Sequence, residues 1–391
     1  TDFADQEQAI QNIIKSAFSH SGQKCSATSL LILTQNVYND KKFKKQLTQA
    51  ILNHRYGSPW QFETQISYLA HQPNENLHWA LTSLEPNEEW AVKPEFKLTD
   101  PPLISPGLKW GIKPGSFMHQ TELFGPILSV IKANSLSHAI AIANSTEYGL
   151  TAGLESLNPD EQNYWKENIQ AGNLYINRET TGAVVQRQPF GGIKKSAIGP
   201  GIKTGGHFYI TSFINTTKNN NHKKTIEETI IDYQTIMTNF FTKTHQTSNI
   251  IGESNETCYK PVGHIGIRIT ETDTIAEIVL IISAAVITKC KVTVSSDKIP
   301  PLNQIPEKIH NQFTYHIESE SQFIKRINQF DRIRFCHADT ITHEIHTITA
   351  KNNTYIEARP VSKIAKIELM RYMIEQTISH QTHRYGNIVD N

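Results

Sequence analysis

At 391 residues the chain is long enough for two or three domains, each with its own core. Its 38 Lys and Arg nearly balance 37 Asp and Glu, so a formal charge of +1 supplies no bulk field for nucleic acid or an anionic membrane. Cys25, Cys258, Cys290 and Cys336 are far apart and contain no CxxC, which excludes a disulfide-stapled secreted scaffold and points to free thiols in a reducing compartment. The longest apolar run, residues 275–288, carries Glu277 and is too short to span a bilayer, so a soluble protein is expected. No signal peptide is recognisable, and a start at Thr-Asp-Phe without Met suggests an incomplete gene product.

Ala9/Ile10, Ile13/Ile14 and Ala17/Phe18 recur at helical spacing, with Asp5 and Gln8 placed as a capping box. Gly22-Gln23-Lys24-Cys25-Ser26-Ala27 follows as a small-residue turn, and Ser29–Leu33 predicts a buried strand. A thiol at such a junction is a candidate nucleophile, because loop residues are positioned there by a rigid scaffold. The alternative is a core cysteine, since free cysteines are among the most buried residues.

Residues 35–48 predict a Lys-rich helix whose charges form a solvated face, and Tyr56–Trp60 a turn. From Asn74 to Gly115 short strands and Pro-rich turns are expected. Gly125-Pro126 then breaks the chain before a strand starting at Ile127. A helix is expected over 135–144, a strand over 148–154, a helix over 160–169 and a strand over 173–177, an alternation that argues for a layered α/β domain. Six glycines between Gly191 and Gly206 demand sharp turns or close approach. They match neither a GxxxxGK[ST] loop nor a GxGxxG turn, so a phosphate cradle is not expected.

The polar stretch 217–224 marks the best domain boundary. Beyond it come a helix over 226–241, a strand over 261–269, an apolar helix over 274–286 and a strand over 291–295. Strands near 313–316, 332–335 and 354–357 and a helix over 321–328 complete a Rossmann-like pattern that lacks the phosphate-binding glycines. A structural or assembly role is expected for this part. His343-Glu344-Ile345-His346 is not HExxH and the other histidines are scattered, so no metal site is expected.

Three motifs stand in a fixed order: Gly22-Gln23-Lys24-Cys25-Ser26, Glu122-Leu123-Phe124-Gly125-Pro126, and Pro189-Phe190-Gly191-Gly192 with Lys194 and Ser196. Together they resemble the aldehyde dehydrogenase superfamily. Cys25-Ser26, and Thr181-Gly182-Ala183-Val184-Val185 ahead of Gln188-Pro189-Phe190, are similar to the glutamate-semialdehyde (Δ1-pyrroline-5-carboxylate) dehydrogenases. Gly199-Pro200-Gly201 to Gly205-Gly206 resembles the version fused into bacterial proline utilization A proteins. Residues 246–391, with Gly252-Glu253-Ser254-Asn255 and Gly386-Asn387, resemble the extra C-terminal domain of their longer forms.

The resemblance implies an aldehyde dehydrogenase-type catalytic domain, three-layered with a mostly parallel sheet, over 1–212. A linker and helix over 213–245 and a second Rossmann-like α/β domain over 246–391 would follow. It implies oxidation of L-glutamate γ-semialdehyde to L-glutamate with NAD, by a Cys25 thiolate that forms a thioester. Glu122 would bond the nicotinamide ribose and Phe124 pack beside the nicotinamide. Ser26, Gly182 and Ala183 would hold the substrate α-carboxylate, the last two through backbone amides, and Phe190 would pack on the aliphatic stem. Arg178 reads as a surface or interface arginine and is left out.

The family's NAD-binding domain, oxyanion asparagine and general-base glutamate precede the nucleophile, and only 24 residues do so here. The chain is therefore expected to be a C-terminal piece, inactive alone, of a bacterial cytoplasmic homo-oligomer. An FAD-dependent proline dehydrogenase, together with any contact with the inner membrane, would belong to the upstream part. The alternatives are a dehydrogenase for another aldehyde and a non-catalytic assembly module.

Overall fold

A computed structural model describes residues 1–97, 99–214, 224–298 and 305–383. The chain forms two compact units that interleave in sequence. The first takes 1–188, 247–255 and 377–383, and the second the described parts of 189–246 and 256–376.

In the first unit, the carboxylate of Asp5 accepts from the amides of Glu7 and Gln8 and starts the helix Gln6–Phe18. His20, Ser21 and Gly22 then take φ of 54°, 58° and 68°, which turns the chain out of the helix toward the Cys25 loop. The strand Leu30–Thr34 lies parallel to Ile127–Ala133, which lies parallel to Gly107–Ile112, and Glu89–Val92 closes the edge antiparallel. Alternation along Ile127–Ala133 sorts the side chains onto two faces. Leu128 and Val130 pack with Ile13, Phe18, Phe43 and Leu47 of the helices Gln6–Phe18 and Lys41–Leu52. Ile127, Ile131 and Ala133 pack with Leu77, Leu81 and Ile142 of the helices Glu75–Thr82 and Leu136–Asn144. Helix, sheet and helix make the three expected layers. In another sheet the strand Asn173–Ile176 pairs parallel with Thr151–Leu154 on one side and with residues 377–380 on the other.

The second unit holds a five-stranded parallel sheet in the order Phe313–Ile317, Lys291–Ser296, His264–Arg268, Arg332–Arg334, Tyr355–Glu357. Numbered along the chain this is 3-2-1-4-5, the order of a doubly wound Rossmann-like sheet. The helix Ile275–Ile287 is capped by a reciprocal Thr274–Glu277 box and is buried along most of its length, as its continuous apolar run requires. The turn that leads into it, residues 269–274, contains no glycine.

Several elements differ from the sequence expectation. The Lys-rich segment is two helices, because Asp40 ends the first and caps the second. The helix Glu75–Thr82 stands where the sequence predicts short strands and turns, and its eight residues are too few to show a clear period. The strand expected over 148–154 is interrupted at Leu150, and that over 261–269 at Val262-Gly263, where Gly263 has φ 108°. The helix over 226–241 ends in a π-turn from Met237 to Phe241. Most of the 217–224 stretch and the Gly386-Asn387 pair lie outside the described residues. Among the described residues no helix is long and apolar enough to cross a membrane.

Candidate active site

The Cys25 turn is set by contacts on both sides. The amide of Ala27 donates to the carbonyl of Lys24 (2.9 Å), which closes the turn, and the Cys25 side of it is exposed. Upstream, Ser21 Oγ donates to the Ser67 carbonyl (2.7 Å), and Gln23 accepts from the Ala70 amide (2.9 Å) and donates to the Phe124 carbonyl (3.3 Å). A Cβ on Gly22 would lie 2.3 Å from the Gly125 carbonyl oxygen, so only glycine lets the two motifs touch. Downstream, the Thr28 amide donates to the Ser16 carbonyl (2.9 Å) at the base of the first helix.

The same approach forms a shallow cleft lined by Gly22, Lys24, Thr28, Glu122, Phe124 and Gly125. Glu122 and Phe124 are both exposed there, and Phe124 is held at φ 53°, a conformation costly for an aromatic residue. A carboxylate that can accept from ribose hydroxyls beside an aromatic face fits the nicotinamide half of NAD.

Thr180 ties a third segment to the Cys25 turn. Its hydroxyl donates to the Ser26 carbonyl (2.9 Å) and lies 3.0 Å from Thr28 Oγ1, while its amide donates to Ser16 Oγ (3.0 Å). Ser26 is buried at 3% exposure. Two residues beyond Thr180 the chain emerges into solvent at Gly182 (φ 88°) and Ala183. Their amides have no hydrogen-bond partner among the described residues. Phe190 belongs to the second unit, where it is half-buried and bridges antiparallel to Thr204.

Sequence reasoning brought Cys25, Ser26, Glu122, Phe124, Gly182 and Ala183 into consideration and missed the residues that hold them. Thr180 and Ser16 carry no motif signal of their own, and Gln23, although inside the first motif, has no role assigned to it there. Thr180 could have been noticed only as the residue before Thr181-Gly182. Tyr175 is a further omission. It is fully buried, its hydroxyl has no partner among the described residues, and the Arg178 guanidinium sits 5.9 Å from its ring centre. Burial pushes the Tyr175 phenol up; the Arg178 charge opposes this and the Cys25 charge adds to it.

The other thiols have different surroundings. Cys290 and Cys336 are buried, and burial raises both above the usual thiol value, which makes them poor nucleophiles. Cys258 is half-buried, with Sγ 3.8 Å from Gln376 Oε1. Cys25 is the one exposed cysteine of the four. No group of three or more His, Cys, Asp or Glu among the described residues is placed to hold a metal ion.

Residues 1–219 match the aldehyde dehydrogenase family. The 1-pyrroline-5-carboxylate dehydrogenases of Bacillus thuringiensis (strain Al Hakam) and Bacillus cereus (strain AH187) are each 35% identical over 218 residues, covering 53% of this chain and 40% of theirs. Among solved structures, proline utilization A from Corynebacterium freiburgense matches with a TM-score of 0.81 and 32% identity, over 98% of this chain and 38% of that one. The chain thus spans two-fifths (40%) of the length of the curated relatives it matches.

Proposed function

The chain belongs to the aldehyde dehydrogenase family, and from that premise we propose that it carries the nucleophile and substrate-anchoring half of an L-glutamate γ-semialdehyde dehydrogenase. Cys25 attacks the aldehyde carbon as a thiolate. The adduct loses hydride to become a thioester, and water releases L-glutamate. A thiol suits both halves of the cycle, since its thiolate is strongly nucleophilic and its ester is readily hydrolysed. NAD, when bound, supplies the hydride acceptor. In this chain Glu122 and Phe124 would hold it at the mouth of the cleft.

The observation that carries the reading is the Thr180 link. It joins the Cys25-Ser26 turn to a loop whose exposed Gly182 and Ala183 amides lack protein partners among the described residues. Two such amides next to a left-handed glycine form an anion-binding concavity, suited to a substrate carboxylate at a fixed distance from the thiol. Ser26 would add a hydroxyl donor. The relatives named 1-pyrroline-5-carboxylate dehydrogenase support the same substrate.

The likeness to proline utilization A over both units supports a role in proline catabolism, and an FAD-dependent proline dehydrogenase is the further activity expected of the whole protein. Free thiols at all four cysteines fit a cytoplasmic, reducing compartment, and a homo-oligomer is the expected assembly. The test uses the longest natural protein that contains this chain. NADH formation from glutamate semialdehyde should exceed that from pentanal, which has the same carbon count without the carboxylate. Cys25→Ala should abolish it. Equal turnover of pentanal refutes the substrate assignment, and activity retained by Cys25→Ala refutes the nucleophile.

A further inference from the structure

The motif Gly252-Glu253-Ser254-Asn255 is far from the nucleophile in sequence, and nothing in the reaction above uses it. In the fold it belongs to the first unit, beside the 178–187 loop that carries Gly182 and Ala183. Glu253 Oε1 lies 3.2 Å from Arg178 Nη1, and its Oε2 lies 4.0 Å from Arg187 Nη1. One carboxylate therefore meets an arginine at each end of that loop.

The grip at Arg178 is a closed ring of polar groups. Arg178 donates to Ser379 Oγ (2.5 Å), Ser379 Oγ donates to Asn255 Oδ1 (2.8 Å), and Asn255 Nδ2 donates to Glu253 Oε1 (2.7 Å). Asn255 and Ser379 are each 1% exposed, so the ring is shielded from water and its members polarise one another. At the other end the Thr247 hydroxyl donates within reach of two carbonyls, those of Arg187 and Asn255. Gly252 fixes the turn between the strands His245–Ile250 and Glu253–Pro261. At φ 80° it leaves no room for a Cβ, which would lie 2.5 Å from His383 Cβ, and its carbonyl accepts from the Thr382 and His383 amides.

We propose that Glu253 is a positioning residue for substrate recognition: by holding Arg178 and Arg187 together it spans the loop and fixes the Gly182 and Ala183 amides for the substrate carboxylate. The proposal rests on the reading that those amides receive that carboxylate. Arg178, set aside in the sequence as a surface residue, then acts on the loop and not on the substrate. Without the carboxylate, the largely buried Arg178 would lose its counter-charge and the exposed Arg187 its tie to the same group, so the loop ends would part.

The experiment needs no turnover. Cys25 is alkylated with iodoacetamide in the presence of 5-oxopentanoate or pentanal, each of which protects the thiol by reversible addition to its aldehyde. In the wild-type chain 5-oxopentanoate should protect at a concentration about tenfold below pentanal, the size expected for one charge-assisted contact. Glu253→Gln should bring the two concentrations together while pentanal protection stays unchanged. Glu253→Asp should recover part of the difference, and Arg187→Met, at an exposed position, should lose part of it. Amide hydrogen exchange over 180–186 in the same samples should be faster in Glu253→Gln. A Glu253→Gln chain that keeps its preference, or exchanges at the wild-type rate, overturns the proposal. A wild-type chain with no preference for 5-oxopentanoate overturns the substrate reading instead, and the exchange measurement then still decides whether Glu253 holds the loop.

Discussion

The hydroxyl of Thr180 sits 2.9 Å from the carbonyl oxygen of Ser26, the residue next to the exposed thiol. Its single proton goes to that carbonyl, so the neighbouring Thr28 hydroxyl, 3.0 Å away, must donate to Thr180. The two threonines thus form a directed chain across three segments: the end of the first helix, the Cys25 turn and the loop after the strand Asn173–Ile176.

Thr180→Val keeps the shape and removes the hydroxyl. The Ser26 carbonyl then loses its partner in a buried place, and a cost of about 1–3 kcal/mol in unfolding free energy is expected. Thr180→Ser restores the donor and should recover most of it. Urea unfolding of the three proteins checks this. A Thr180→Val chain as stable as wild type would mean the link carries no energy.

Gly22→Ala tests the contact between the first two motifs. The new methyl group would meet the Gly125 carbonyl at 2.3 Å in a residue already at φ 68°, so the backbone must move as well as the side chain. Overpacking together with left-handed strain should cost about 2–4 kcal/mol. The rate of Cys25 alkylation should change too, because the turn is displaced from Phe124. A normal melting temperature with an unchanged alkylation rate would show that the two motifs separate without consequence.

Glu155 gives the first unit a pH dependence. Burial raises its carboxyl to about 7, against the opposing hydrogen bond from Asn12 Nδ2 (2.9 Å). A folded-state value above the unfolded one means the protonated form is favoured by folding. This contribution is full below about pH 4.5, and it is lost as the pH rises through about 7. Glu155→Gln keeps the acceptor for Asn12 and cannot ionise. Its stability should therefore change less than wild type between pH 5 and 8, as followed by thermal melting. Parallel curves for the two proteins would remove Glu155 from the titration.

Much of this architecture was legible in the chain because its signals are local. The apolar spacing before Cys25, the breaking Gly125-Pro126 pair and the continuous run over 275–286 each name an element without reference to the rest. The site was legible as far as its chemistry sits in short motifs. What could not be read was the scaffolding between them. Thr180 with Ser26, Gly22 against Gly125, and Glu253 with Arg178 and Arg187 are contacts over long sequence separations. Each partner is an ordinary residue until the fold brings it to the other. Arg178 shows the cost of reading one residue at a time: as an arginine after a strand it looked like surface, and it is part of a shielded polar ring. The helix Glu75–Thr82 escaped for a different reason, since eight residues with Leu77, Ala80 and Leu81 inward hold too little period to separate from turn.

Lys203 sets an opposite pH dependence in the second unit. The side chain is fully buried, its ammonium donates to the Gly191 carbonyl, and its own amide donates to Glu375 Oε2 (2.8 Å). Burial lowers the amine from its ordinary 10.5 to about 7, although the charges of Glu375 and Cys258 pull it upward. The unfolded chain binds this proton as the pH falls through 10.5, while the folded chain does not until about 7. Stability is therefore greatest above the unfolded value, decreases as the pH falls across that window, and is level below it. Wild type should gain stability between pH 7 and 9.5 relative to Lys203→Met, which fills the same space without titrating. The range lies above the Glu155 transition, and the burial-raised Glu375 carboxyl is the nearest group that can blur its lower end. Chemical unfolding of both proteins at the two pH values measures the difference directly. If Lys203→Met gains as much as wild type, Lys203 keeps its proton in the folded state, and the second unit holds a buried ammonium that Glu375 and the Gly191 carbonyl fully compensate.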